Sequence, residues 1–380
     1  MRTTRHELRF RAMGTQCHVL VDAPTLAAAE LAQLAQERVE LLEQSWSRFR
    51  PDSELSRLNA RSGRGPVPVS ADLLMLVEQM RDAWRATDGL FDPTVLPAMR
   101  AAGYDADFDV VAARPASSWN DIALVGVPGM AGVTVDRRSS TVSVPDRVNL
   151  DPGAIGKGLA ADLVATELRG AGATGALVNL GGDLSIVGHT DEPWAIDVED
   201  ERRTTDDPLR VLETIRLPAH VDRVGIATST TLKRRWAQGR RHHVIDPRTG
   251  LPSVGATAQV TVIAETACRA EVLATAALLL PAHDAPDWLA RQGARVVVND
   301  LGTTLDGVVE PSGTAHEVVE LIRAAGGDAV ANGSDIADFT QARELVHQAI
   351  EEFGRLDVLV NNAGFVRDRM LVNTSEEEWD

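Results

Sequence analysis

Three short segments carry the residue types that could do chemistry. The first, Asn149-Leu-Asp-Pro-Gly-Ala-Ile-Gly-Lys-Gly-Leu-Ala-Ala-Asp162, runs a glycine-bearing loop with Asp151 into a helical pattern. Such a junction aims unpaired N–H groups at the loop, and Lys157 in the first turn adds charge, a field suited to phosphate or pyrophosphate. It is not a Walker A loop, because the glycine spacing differs and Gly158 stands where Ser or Thr should follow the lysine. The same residues also suit a capped helix with a tight entry turn. The second, Arg241-His-His-Val-Ile-Asp-Pro-Arg-Thr-Gly250, puts His243 at a strand end before an Asp-Pro turn. An imidazole there could take a proton near neutral pH, or the pair could be two surface histidines on a hairpin. The third, Thr266–Thr275, places Glu271 and Thr275 at i and i+4 on one helix face. With a backbone carbonyl those two oxygens suit a hard cation such as Mg²⁺, although the spacing also fits plain packing residues.

The elements that must position these groups follow from hydrophobic periodicity. A strand is expected over 7–22 and helices over 25–44 and 71–86, the latter capped by Ser70. A loop and short helix occupy 48–59, and Thr87-Asp-Gly-Leu-Phe-Asp-Pro-Thr94 is turn-rich. Strand-like runs at 131–136 and 140–144 predict a hairpin, followed by a helix over 155–170. Strands at 175–180, 194–198, 223–228, 242–245 and 257–264 and helices at 267–280 and 284–292 complete a mixed α+β chain. Beyond Gly293 the pattern changes. Strands 295–299, 328–333 and 356–361 alternate with helices 313–325 and 339–353, which predicts βαβ units in a parallel sheet.

Composition narrows the classes. The 380 residues are 44% apolar and carry a net charge of −17, ordinary for a globular chain and ample for a core. That acidity argues against nucleic acid or an anionic membrane as main partner, with Lys233-Arg234-Arg235 and Arg240-Arg241 as local anion contacts. Lysine occurs only at 157 and 233. Cys17 and Cys268 are too few for a disulfide framework or a thiolate zinc site, and no membrane span or leader is expected, so cytoplasmic placement is the default.

Taken in order, several motifs resemble the ApbE family of FAD:protein FMN transferases. They are Met13-Gly-Thr15, Ser47–Asn59, Thr87–Thr94, Asp151–Gly158, Asn179-Leu-Gly-Gly-Asp183, Ala227-Thr-Ser229, His243–Gly250 and the 261–275 segment. The resemblance implies a T-fold-like enzyme over residues 1–293 that takes FAD as substrate with Mg²⁺, passes FMN to a threonine of an acceptor protein and releases AMP. It implies FAD contacts at Met13, Phe49, Gly89, Leu90, Phe91, Asp151, Lys157 and Ile245. It further implies a metal site from the Ala154 carbonyl, Glu271 and Thr275, with His243 acting near the acceptor hydroxyl. Glu271 stands where many members have Asp, and Phe49 where Tyr is common. An FAD pyrophosphatase or a flavin-binding protein without transfer activity are the alternatives, and an NAD(P)-dependent oxidoreductase based on the C-terminal residues stands behind them.

Residues 294–380 resemble an internal piece of a short-chain dehydrogenase/reductase, a partial Rossmann-like α/β fragment. Arg295–Gly302 looks like the second strand with Asp300 at the ribose position, Asp335–Asp338 like the adenine edge, and Asn361-Asn-Ala-Gly364 is a family motif. The first strand and its glycine-rich loop are missing, as is the Ser and Tyr-x-x-x-Lys group, so no NAD(P)-dependent activity is expected of it.

Overall fold

The computed structural model describes residues 3–24, 27–115, 122–199, 211–255, 257–281 and 284–292. In the tail it describes 296–299, 319–320, 323, 329–332, 344–345, 348, 352 and 358–361. The expected strand over 7–22 is instead a hairpin, β1 (Thr3–Ala12) and β2 (Thr15–Pro24). Met13 and Gly14 take φ of +51° and +68°, the double left-handed turn whose twist matches paired strands. Apolar alternation runs straight through such a turn, so periodicity alone reads one strand.

Next come α1 (Ala28–Trp46), α2 (Glu54–Ala60), β3 (Val67–Pro68) and α3 (Ala71–Ala86), the last capped by the Ser70 hydroxyl as expected. Two short helices, α4 (Leu96–Ala101) and α5 (Phe108–Ala112), were not legible. The hairpin β4 (Thr134–Asp136) and β5 (Thr141–Ser143) precedes α6 (Gly156–Gly170). Then follow β6 (Gly175–Leu180), β7 (Asp183–His189), β8 (Trp194–Glu199), β9 (Val211–Leu217) and β10 (His220–Thr230). The expected strand at 242–245 is broken into two-residue pieces among β11 (Arg235–Trp236), β12 (Arg241–His242), β13 (Ile245–Asp246) and β14 (Leu251–Pro252). After β15 (Gln259–Ala264) come α7 (Ala267–Leu278) and α8 (Ala285–Arg291).

One sheet organises the molecule, in the order β1-β2-β6-β7-β10-β15 and then a strand of the tail. All its pairings are antiparallel. Helices α1, α6 and α7 pack on one face. The β8–β9 hairpin covers the other through Leu177, Ile186, Trp194, Val198, Ile215 and Ile226. Covered on both faces, β7 is buried at six of its seven positions, yet its sequence, Asp-Leu-Ser-Ile-Val-Gly-His, sets Asp183, Ser185 and Gly188 among only three large apolar residues. That is why it escaped the sequence reading. Among the described residues no helix is long and apolar enough to cross a membrane, and both cysteines are free and buried.

In the tail, β16 (Val296–Asn299) and β17 (Ala329–Asn332) pair in parallel, as expected. Helices 313–325 and 339–353 fall, apart from single positions, outside the described residues, as do Asp300 and Asp335–Asp338. The third strand corrects the expectation: β18 (Val358–Asn361) leaves that parallel pair and joins the large sheet antiparallel to β15.

Candidate functional site

A cleft of about 1150 Å³ opens where the 151–157 loop, the start of β7, the end of β10, the 231–245 segment and α7 converge. Leu90, Phe91, Asp151, Ala154, Lys157, His243, Ile245, Glu271 and Thr275 all line it. Segments more than a hundred residues apart in the chain thus meet in one place. Met13, Phe49 and Gly89 lie beside the cleft and do not line it. Met13 packs against the main core at the β1–β2 turn. Gly89, at φ +81°, turns the chain where a Cβ would lie 3.3 Å from the Trp84 indole nitrogen, which leaves Leu90 and Phe91 on the wall. Phe49 supports Arg48, whose guanidinium sits 4.1 Å above its ring and 4.5 Å above that of Tyr104.

Arg48 in turn approaches the buried Asp151, Nε to Oδ2 at 3.1 Å, without hydrogen-bond alignment. The other Asp151 oxygen accepts the Gly153 N–H at 2.8 Å and fixes the loop. Ala154 follows in left-handed backbone, φ +66°, a conformation that costs a non-glycine residue of order 1–3 kcal/mol and persists where surroundings enforce it.

The first turn of α6 departs from the expected anion cradle. The Gly158 N–H donates to Glu271 Oε2 at 2.8 Å, so a carboxylate of α7 already occupies this helix N-terminus. Glu271 Oε1 lies 3.3 Å from Lys157 Nζ, and Lys157 makes its shortest contact with Asp183. The Asp183 and Glu271 side chains are 2% and 4% exposed, and the Lys157 side chain 26%. One ammonium between two buried carboxylates leaves a net negative charge, which a further cation would balance. Beside it, the hydroxyls of Ser229 and Thr275 share a hydrogen bond of 2.8 Å. Carboxylate and hydroxyl oxygens make a donor set that fits Mg²⁺ rather than a soft metal. Asp183 and Ser229 were present only as unassigned members of the Asn179–Asp183 and Ala227–Ser229 motifs. Their role depends on β7 and β10 being neighbours.

The two histidines separate cleanly. His242 is a satisfied core residue, its Nε2 2.8 Å from the Ser253 carbonyl oxygen and its Nδ1 accepting the Val244 N–H. His243 points into the cleft with a buried Nδ1 that has no hydrogen-bond partner. Burial, followed by Arg234, His242 and Lys157, pushes its pKa down to about 3, so the ring is neutral. Neither histidine is a surface hairpin residue. Of the cations noted in the sequence, Lys233 and Arg234 line the cleft, joined by Arg9 from β1. Arg235 is turned onto the Gly239 and Thr231 carbonyls, and Arg240 and Arg241 hold those of Ala237 and Ala102.

This geometry defines a class: an α+β protein, T-fold-like, whose cleft sets cationic side chains beside a cluster of hard oxygen donors. Residues 13–298 match the ApbE family model, and the chain belongs to that family. An FAD:protein FMN transferase of Rhodobacter capsulatus is 32% identical over 298 residues, 76% of this chain, although the chain spans only 54% of that relative. The solved ApbE protein of Thermotoga maritima superposes with a TM-score of 0.61 at 27% identity, covering 75% of this chain and 89% of its own. Residues 285–380 match the short chain dehydrogenase model. Over 91 residues, 24% of this chain, they are 50% identical to a peroxisomal multifunctional enzyme type 2 of Drosophila melanogaster, of which they cover 15%.

Proposed function

We propose that this chain is an Mg²⁺-dependent FAD:protein FMN transferase that flavinylates a threonine of an acceptor protein and releases AMP. The observation that carries the reading is the convergence of Lys157, Asp183, Glu271, Ser229, Thr275 and His243 on one cleft. In this reading the acceptor hydroxyl attacks the FMN-side phosphorus of FAD, the bridging P–O bond breaks, and AMP leaves with that oxygen. The hydroxyl proton passes to His243, whose Nδ1 is buried in the cleft without a hydrogen-bond partner. Lys157, Lys233 and Arg234 hold the phosphates, so catalysis is mostly positioning and electrostatics. Glu271, Thr275 and the Ala154 carbonyl, with Asp183 nearby, would hold Mg²⁺, which supplies charge neutralisation to the pyrophosphate and the leaving group. Leu90, Phe91 and Ile245 offer the apolar wall that a flavin ring needs. The buried free thiols suit a reducing cytoplasm.

The test combines the protein with FAD, Mg²⁺ and a candidate acceptor domain, followed by intact mass. Transfer raises the acceptor mass by one FMN with AMP released in equal amount. FAD hydrolysis with an unchanged acceptor mass makes the chain a pyrophosphatase instead.

A further inference from the structure

The β15 edge is undefended. Its sequence, Gln-Val-Thr-Val-Ile-Ala, has no proline or charge, and its pairing with β10 runs without a bulge. Val260, Thr261 and Val262 are all 0% exposed, so both faces are covered. Proteins ordinarily protect such an edge with charges, bulges or a covering segment, because its free N–H and C=O groups recruit other strands.

The tail, for its part, has a strand without a home. A doubly wound dinucleotide fold orders its strands 3-2-1-4, so strand 1 separates strands 2 and 4. By chain order β16, β17 and β18 are strands 2, 3 and 4. The first two pair in parallel as that order requires. Where strand 1 and its glycine loop should precede β16, the chain has the helix α8. Strand 4 therefore has lost its partner. Its Val-Leu-Val-Asn backbone lies instead along β15, in the register Gln259↔Asn361, Val260↔Val360, Thr261↔Leu359 and Val262↔Val358.

We infer that Val358–Asn361 is an intramolecular donor strand that seals the open β15 edge, making the dehydrogenase-like tail a structural part of the ApbE-type domain. The two open edges satisfy each other: one lacks a cover, the other lacks a neighbour. A tail used in this way has given up the strand arrangement on which dinucleotide binding depends.

The test uses the full chain. Thr261→Cys and Leu359→Cys together place two thiols on directly opposed residues, whose Cα spacing in any antiparallel ladder is within disulfide reach. Mild oxidation of T261C/L359C should give an intramolecular disulfide, whereas V297C/L359C, with one thiol on β16, should stay reduced. Hydrogen exchange on the unmodified chain supplies an independent reading. The amides of Gln259–Val262 that do not face β10 should exchange at least about tenfold slower than unpaired amides. The inference fails if T261C/L359C stays reduced or links only between two chains. It also fails, should the double variant not fold, if those amides exchange as fast as unpaired ones.

Discussion

His243 and Lys157 sit in one cleft under opposite electrostatic demands. Desolvation and neighbouring cations keep His243 neutral, so its pKa falls from 6.5 to about 3. Between those values the unfolded chain binds the proton that the native chain refuses. Stability from this residue is intact above pH 6.5 and is lost as pH falls toward 3. Replacing His243 with Asn should therefore flatten the decline in urea midpoint between pH 6.5 and 4, measured against the parent. The same variant should lower the transfer rate by about 10²–10⁴-fold while FAD still binds, read by rapid-quench turnover and by flavin fluorescence. Lys157 has the reverse task, since it is the ammonium that neutralises Asp183 and Glu271. Lys157→Gln leaves both carboxylates buried and uncompensated, a loss of about 3 kcal/mol in denaturant unfolding. Mg²⁺ should raise the melting temperature of that variant more than that of the parent, because the cation then meets two unshared carboxylates.

The decisive element contact is α6 against α7. A Cβ on Gly158 would lie 2.4 Å from the Ala267 carbonyl oxygen and 2.8 Å from the Cys268 nitrogen, so only glycine permits the helices to approach. That approach lets Glu271 reach the Gly158 N–H. Gly158→Ala should cost about 1–3 kcal/mol in unfolding and weaken Mg²⁺ binding severalfold by calorimetry. Asp162 locks the same junction. Its carboxylate accepts the Ala267 and Cys268 N–H groups at 3.1 and 2.9 Å and the Ser185 hydroxyl at 2.7 Å, with Arg223 at 3.2 Å. Asp162→Ala strands these donors and should destabilise by about 3 kcal/mol, with Asn intermediate. Long amphipathic elements such as α3, and Ser70 as its cap, were legible because 3.6-residue periodicity and capping chemistry are local. The hairpin at Met13-Gly14, the polar-interrupted β7 and the scattered β11–β14 pieces were not, because alternation there runs through a turn, breaks off at Val187-Gly188 or spans too few residues.

At the scale of the whole molecule, charge and ligand response divide along the chain. Residues 294–380 hold 6 arginines against 17 carboxylates, a net −11 of the total −17. The ApbE-type part is only mildly acidic, which sits comfortably with a pyrophosphate ligand. FAD with Mg²⁺ at a hundred times its dissociation constant should stabilise the chain by about 2.7 kcal/mol, seen as a raised melting temperature. Millimolar NAD(H) or NADP(H) should leave it unmoved, since the glycine loop that anchors a dinucleotide is absent.

The sequence by itself determined the chemistry on offer. It fixed the residue types in the 151–158, 241–250 and 266–275 segments, their family resemblance and the change of character near Gly293. Those are local properties, set by side-chain type and spacing. Only the tertiary structure decided which groups act on which. It gave the Gly158 N–H to Glu271, brought Asp183 and Ser229 into the cluster, turned His243 inward and His242 away, and moved the tail strand onto β15. Each of these depends on strand order and helix packing between residues far apart in the chain, and no local pattern encodes such contacts.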